Sequence, residues 1–385
     1  MYLRQGEPTY FPCLYAGTQV TIPAKSKLGV AVSQQMYFAI PGDLNARTGG
    51  YAYDRRLLIE LRTLGLQVEH LALDASFPFP DAKALQHVEQ VFAALPDHAL
   101  VLVDGLAFGA MAPCASRHAN RLRLIALCHH PLTLESGLDA AQQQTFLESE
   151  QAALQCSRAV IVTSTNTART LTELFSVPKS KISVALPGTD SADFAPCIGD
   201  PPVLLCVATL TRRKAHDVLI DALANIAELP WQARFAGSEE FDPQWGSQLR
   251  QQITAAGLES RINLLGSVEN LATEYLGADL FVLPSRYEGY GMVFAEALAH
   301  GLPIIAARAG AVAEVVPESA GRLVPVEDAR ALAESLRTLL RDRDLYAQLR
   351  LGAQAAAHQL STWQDTANVV LACLENITQE TEGVT

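Results

Sequence analysis

Two glutamates eight positions apart, Glu288 and Glu296, bracket a glycine turn in SRYEGYGMVFAEALAHGLPII, residues 285–305. DLFVLPS ahead of the turn has the make-up of a buried strand, and MVFAEALAH behind it reads as a helix that stops at Gly301. Such a strand–turn–helix leaves the first amides, at Gly291, Met292 and Val293, without intrahelical partners. With the positive end of the helix dipole they make an anion site suited to phosphate. Gly289 and Gly291 let the backbone approach that anion with no Cβ in the way. Glu296, a little over one turn into the helix, would repel a phosphate but suits a neutral diol such as a ribose. As an early-helix carboxylate it is expected to add little to stability. Glu288, before the turn, can accept hydrogen bonds from a second hydroxylated group. The pattern fits a nucleoside diphosphate flanked by two hydroxyl-rich sugars, and the strand–turn–helix context disfavours two merely solvated acids.

Placing such groups takes parallel α/β architecture, and the rest of the chain supplies its pattern. Short apolar runs (MYFAI, QVEHLAL, ALVLVDG, RLRLIALCHH, RAVIVTS, KISVALPG) alternate with helical periods such as YAYDRRLLIELRTLG (51–65) and NTARTLTELFSV. TDSADFAPCIGDPP (189–202) has no period and reads as a linker, after which the alternation restarts with VLLCVATL. The 385 residues, 49% hydrophobic and 18% charged, suit two globular domains. The expected division is an unstructured extension over 1–35, with Met36 an alternative start, then domains over 36–198 and 199–359. Two doubly wound α/β units place a ligand cleft between the carboxyl ends of both sheets.

No apolar run reaches the length of a spanning helix, and the first residues lack a signal-peptide pattern. Seven cysteines without a C-x-x-C pair fit reduced thiols in a cytosol. A net charge of −12 argues against nonspecific nucleic-acid binding. The excess acid lies mostly after residue 200, which leaves the first half less repellent to an anionic substrate or membrane surface.

EGYGMVFAE matches the E-x7-E signature of retaining glycosyltransferase family 4, whose members have the GT-B fold. TSTNTARTLTELFSVPKSKISVALPGTD resembles that family's end of the first domain, VATLTRRKAHDVLIDAL its phosphate-binding segment, and EALAHGLPIIA part of its donor pocket. The resemblance covers about residues 36–375. It implies two Rossmann-like domains facing each other across a cleft, with a last helix over 360–379 packing back on the first domain. Trp363 on that helix is then a packing residue.

The resemblance also implies roles. Glu296 binds the nucleotide ribose and Glu288 contacts the donor sugar. Lys214, on a loop between strand and helix, takes the diphosphate. The family usually has an arginine five positions earlier, where this chain has Thr209, so Arg212 or Arg213 is expected to replace it, Arg213 being favoured for its place beside Lys214. His129, or His130 next to it, ends a strand near the donor sugar. Gly49 and Gly50 let a loop approach the donor phosphate and the acceptor, and the backbone around Val268 in GSVEN holds the base. Asp104 touches an acceptor or caps the next helix. Asp342-Arg343-Asp344 imitates the D-x-D metal motif of another glycosyltransferase fold, but it lies between two helices and is not expected to bind metal.

The activity implied is retaining transfer of a sugar from a UDP- or GDP-sugar to a hydroxyl of a glycan, lipid-linked or small-molecule acceptor. No metal and no cofactor are expected. Partners are the donor and the acceptor, with peripheral membrane contact through the first domain and no nucleic acid. The expected place is the cytoplasm, at the inner membrane face for a lipid-linked acceptor. Alternatives are a nucleotide-sugar epimerase, a phosphorylase, or a weakened or non-catalytic sugar-nucleotide binding protein, the last motivated by Thr209.

Overall fold

The computed structural model describes residues 35–135 and 137–382. The extension expected over 1–35 therefore lies outside the described residues, except for Gln35, which opens the first strand.

The first half runs β1 (Gln35–Pro41), α1 (Gly49–Thr63), β2 (Gln67–Leu73), α2 (Ala82–Ala94), β3 (Leu100–Asp104), α3 (Gly105–Phe108), α4 (Ala112–His118), β4 (Arg123–Cys128), α5 (Ala140–Cys156), β5 (Ala159–Val162), α6 (Thr165–Phe175) and β6 (Ile182–Val184). The second half runs β7 (Val203–Val207), α7 (His216–Ala224), β8 (Gln232–Ala236), α8 (Pro243–Ala255), β9 (Ile262–Gly266), α9 (Leu271–Leu276), β10 (Leu280–Leu283), α10 (Met292–Ala299), β11 (Ile304–Ala307), α11 (Val312–Val315), β12 (Gly321–Val324), α12 (Ala329–Arg341), α13 (Arg343–Ala357) and α14 (Trp363–Glu382).

Each half builds a six-stranded sheet, in the orders β2-β1-β3-β4-β5-β6 and β12-β11-β10-β7-β8-β9. Every ladder is parallel. Most strands are buried along their length because helices cover both faces, which is why they read as unbroken apolar runs. The strand order reverses between β1 and β3 in the first sheet and between β7 and β10 in the second. Loops leaving strands at such a reversal open into the crevice where a doubly wound sheet takes its ligand. The segments after β1, β7 and β10 carry Gly49, Lys214 and Glu288, and Asp104 is the last residue of β3.

One face of the first sheet packs on α2, α4, α5 and α6. The other packs on α1 and α14, where Trp363, Ala367, Val370 and Leu374 meet Tyr53, Leu57 and Phe38. The last helix thus returns to the first half. Trp363 stands edge-on to Tyr53, with ring centroids 5.7 Å apart, and the Arg56 guanidinium lies 5.2 Å from its ring. Arg56 also clamps Asp190 of the PGTD turn through two hydrogen bonds of 2.6 and 2.9 Å. The second half has its own core. Met292 is partly buried against that core and against the α1–α14 face at once.

One local expectation needs correction. The first helix begins at Gly49, so Gly49 and Gly50 lie in its first turn and not in a loop before it. The stretch between β3 and β4 holds α3 and α4, two helices too short to show a period, and Asp104 caps the first of them. β12 and α11, at four residues each, are likewise too short to show a period.

Candidate active site

Gly291 caps α10 at φ +90° and ψ 62°, a left-handed conformation that a residue with a Cβ adopts at a cost. No side chain caps this helix, and the first amide of the turn to reach a backbone acceptor is that of Phe294, on the Gly291 carbonyl at 2.9 Å. The amides ahead of it, at Gly291, Met292 and Val293, sit at the positive end of the helix.

Glu288 is buried beside this turn, and three groups converge on it. Lys214 Nζ lies 2.7 Å from Oε1, Arg213 Nη1 3.4 Å from Oε2, and the Ser285 hydroxyl donates to Oε1 at 2.6 Å. Arg213 also donates to the Tyr287 carbonyl at 3.0 Å. Burial opposes the charge on Glu288, but Lys214 and Arg213 outweigh it and hold the carboxyl below its usual range. At Lys214 burial wins over Glu288, and the ammonium is pulled below the usual lysine value. Arg212 turns the other way. Its guanidinium lies 4.4 Å from the Trp245 ring and 4.0 Å from Asp242 on the α8 side, and its side chain is 49% exposed. Of the two arginines weighed as replacements for the residue absent at Thr209, the fold brings Arg213 to the site and takes Arg212 away. Thr209 itself is half-buried just after β7.

Glu296 sits one turn further along α10, and its environment overturns the expectation that it adds little to stability. It accepts the Tyr275 hydroxyl at 2.8 Å, and the Tyr275 ring stacks on His300 with centroids 4.7 Å apart. Burial raises its carboxyl pKa, against the pull of the Tyr275 hydrogen bond. Deleting the carboxylate leaves the buried Tyr275 phenol only the Val293 carbonyl, a longer acceptor at 3.4 Å, a destabilising change.

From the first half, His129 directly follows β4, and its carbonyl lies against Gly289 of the second half. Its Nε2 lies 3.1 Å from Asp54 Oδ1 and 3.3 Å from Asp104 Oδ2. Asp104 also caps α3, accepting the Leu106 amide at 3.0 Å. Gly50 stands next to the His129 ring and Gly49 next to the Met292 sulfur. His130 pairs instead with Glu135 at 3.0 Å, and Glu135 also meets Arg213 at 3.2 Å, so an acid of the first half reaches a cation of the second. Further links are the Thr165 amide donating to Glu314 at 2.9 Å and Arg47 donating to Ser267 at 3.0 Å. Val268, beside Ser267, is half-buried in the turn after β9.

Sequence reasoning missed Asp54, Tyr275, Ser285 and Glu135. Asp54 had a signal: with Leu57, Leu58 and Leu61 it completes an i, i+3, i+4, i+7 stripe, an acid on a helix face that the fold buries. The D-x-D imitation is structural, with Asp342 accepting the Leu345 amide to cap α13. Elsewhere among the described residues Glu89, Cys114 and His118 lie together, but Arg117 bonds Glu89 and Arg121 bonds His118, a setting hostile to a cation.

Comparison with known proteins gives this geometry its context. Residues 53–193 match the family model described as Glycosyltransferase Family 4, and residues 201–342 the one described as Glycosyl transferases group 1. Between them the two models span most of both halves. The chain belongs to glycosyltransferase family 4.

Relatives of this family 4 protein include a D-inositol 3-phosphate glycosyltransferase of Jonesia denitrificans, 29% identical over 62% of the chain and 61% of the relative. The lipopolysaccharide core biosynthesis mannosyltransferase LpsB of Rhizobium meliloti is 30% identical over 57% of the chain and 66% of the relative. The matched stretch thus spans less than two thirds of these curated relatives. Among solved structures, sucrose-phosphate synthase of Thermosynechococcus elongatus superposes with a TM-score of 0.74 at 22% identity, covering 91% of this chain and 100% of that one. Anabaena Alr3699/HepE in complex with UDP-glucose gives 0.73 at 20% identity, covering 89% and 100%. The fold of the family 4 protein is GT-B. No described helix is long and apolar enough to cross a membrane.

Proposed function

We propose that this family 4 protein is a retaining glycosyltransferase that moves a sugar from a UDP- or GDP-sugar to a hydroxyl of a glycan, lipid-linked or small-molecule acceptor. The observation that carries the reading is the convergence of Lys214 and Arg213 on Glu288 beside the start of α10, with Glu296 one turn further on. Two cations and the amides of Gly291, Met292 and Val293 suit a diphosphate. Glu296 then takes the ribose hydroxyls, the backbone around Val268 the base, and Glu288 the donor sugar. A diphosphate shares Lys214 and Arg213 with Glu288, which couples donor binding to the placement of the acid. The names of the relatives support sugar transfer, and the HepE complexes with UDP and UDP-glucose make uridine the first nucleotide to try.

The chemistry that goes with this reading is the front-face substitution that the family resemblance suggests. The bond between the anomeric carbon and the leaving phosphate oxygen breaks while the acceptor oxygen bonds to the same face of the sugar. The acceptor proton passes to the leaving phosphate. Lys214, Arg213 and the helix amides stabilise the charge growing on the diphosphate, work that other enzymes assign to a divalent ion. In this reading no metal is required, the site acts in the cytoplasm, and a lipid-linked acceptor would bring it to the inner membrane face.

The test is incubation with a panel of UDP- and GDP-sugars and candidate acceptors, detecting free nucleotide and glycosylated product with and without EDTA. Product of retained configuration, formed equally with EDTA, is the expected result. Tight nucleotide binding without turnover of any sugar would favour the non-catalytic binding protein, and activity abolished by EDTA and restored by metal would overturn metal independence.

A further inference from the structure

His129 offers two carboxylates the same ring nitrogen. Both acids are buried, Asp54 to 1% exposure and Asp104 to 2%. Asp54 is fixed by the packing of α1, and Asp104 by its second oxygen on the Leu106 amide. The Tyr53 ring stands edge-on to the imidazole, with centroids 5.1 Å apart, and the backbone at Gly50 closes on another side. Asp54 Oδ2 meets no donor, so this carboxylate weakens the core unless His129 compensates it.

Two carboxylates within 3.3 Å of Nε2 favour a hydrogen on that nitrogen, which leaves Nδ1 to a ligand. A neutral ring would then present Nδ1 as a base, whereas an imidazolium presents it as a donor. Burial pushes the ring toward neutrality, but the Asp54 charge and the hydrogen bonds to Asp104 and Asp54 outweigh it and lift the pKa to about 10. Burial and the Asp104 charge push Asp54 up, to about 7, against the pull of His129. The other titratable neighbours stay neutral. Burial lifts the Tyr53 phenol and the Cys128 thiol, and burial with Asp104, Asp54 and Asp43 lifts Tyr51 to about 12. Across the interface the backbone of Gly289 meets the His129 carbonyl, while Lys214 and Arg213 are paired with Glu288 and Arg213 also with Glu135. His130 has its own partner in Glu135.

We propose that Asp54 and Asp104 are positioning residues that lock His129 with Nε2–H turned into the first half and Nδ1–H turned to the bound substrate. The ring then serves as a cationic hydrogen-bond donor to a substrate oxygen and not as a general base. The substrate role rests on the transferase reading; the protonation of the ring does not.

The test uses the full chain with 15N-labelled histidine, the His129 signals being identified by their loss in His129→Gln. Both ring nitrogens should be protonated at pH 8, with titration near 10. In Asp54→Asn the titration should fall by about two pH units or more, and the alkaline limb of kcat/KM for sugar transfer should fall with it. A purely structural Asp54 would change thermal unfolding and leave that limb in place. Should Asp54→Asn not fold, the wild-type titration and the Asp104→Asn profile carry the test. A neutral His129 ring at pH 8 in the wild type overturns the proposal, as does an alkaline limb unmoved in the Asn variants that fold. A ring protonated at pH 8 in a protein that neither binds UDP nor transfers sugar supports the lock and sinks the transferase reading, so the two failures are separable.

Discussion

Gly289 stands so close to His129 that a Cβ on it would lie 2.2 Å from the His129 carbonyl oxygen. The obstacle is backbone, not the end of a flexible side chain, so the two halves would have to part to admit a methyl group. The same carbonyl accepts the Thr163 hydroxyl at 3.2 Å, which holds it in place. Gly289→Ala is therefore expected to lower kcat/KM for sugar transfer by roughly tenfold or more through misplaced groups, with circular dichroism unchanged. Wild-type kinetics in this variant would show that the close approach is irrelevant to turnover.

Glu296→Gln and Glu296→Ala separate ligand binding from folding. Gln keeps an oxygen for Tyr275 and loses the charge that favours a ribose diol, so UDP affinity should fall by about 1.5–3 kcal/mol with little change in melting temperature. Ala should lose that affinity and also leave the Tyr275 hydroxyl only its longer contact with the Val293 carbonyl, lowering the melting temperature as well. Calorimetric titration of UDP, GDP and ADP reads the first effect and thermal unfolding the second. Equal nucleotide affinity in all three proteins would remove Glu296 from the ribose role.

The opposed directions of Arg212 and Arg213 predict unequal consequences. Arg213→Ala should cost ~1.5–3 kcal/mol in donor binding or the transition state, as a charge-assisted contact does. Arg212→Ala removes a contact with Trp245 and should leave turnover close to wild type. Thr209→Arg should partly rescue Arg213→Ala. Turnover that survives Arg213→Ala and rises strongly in Thr209→Arg alone would mean that no arginine had replaced the missing one.

Glu150 predicts a pH-dependent stability away from the cleft. Burial pushes its carboxyl up to about 8, against the pull of the Leu132 amide that donates to it at 2.9 Å. The folded state thus holds a proton that the unfolded chain releases near its ordinary value of 4.5. The stability this contributes is complete below that value and is lost as pH rises through about 8. Glu150→Gln should match the wild type near pH 4.5 and exceed it by roughly 1–3 kcal/mol at pH 9. Urea unfolding at several pH values measures the difference, and an advantage independent of pH would exclude a buried ionisation as its cause.

Much of the fold was legible because its signals are local. An apolar run bounded by turn residues marks a buried strand whatever its neighbours, and YAYDRRLLIELRT shows its helix by the spacing of Leu57, Leu58 and Leu61. The elements missed, α3, α4, α11 and β12, are four to seven residues long, too short for a period to repeat.

The sequence alone determined two doubly wound sheets, a glycine turn into α10 flanked by Glu288 and Glu296, and a basic loop at residues 212–214. Each of these is written in consecutive residues. Tertiary structure alone decided that Arg213 and not Arg212 turns to Glu288, that Tyr275 meets Glu296, and that Asp54 and Asp104 share His129. Those pairings join residues 21 to 75 positions apart, on separate helices, strands and the loops between them. Their distance in space depends on strand order and on which helix face is buried. A charged side chain has no intrinsic direction in the sequence; the packing around it supplies one.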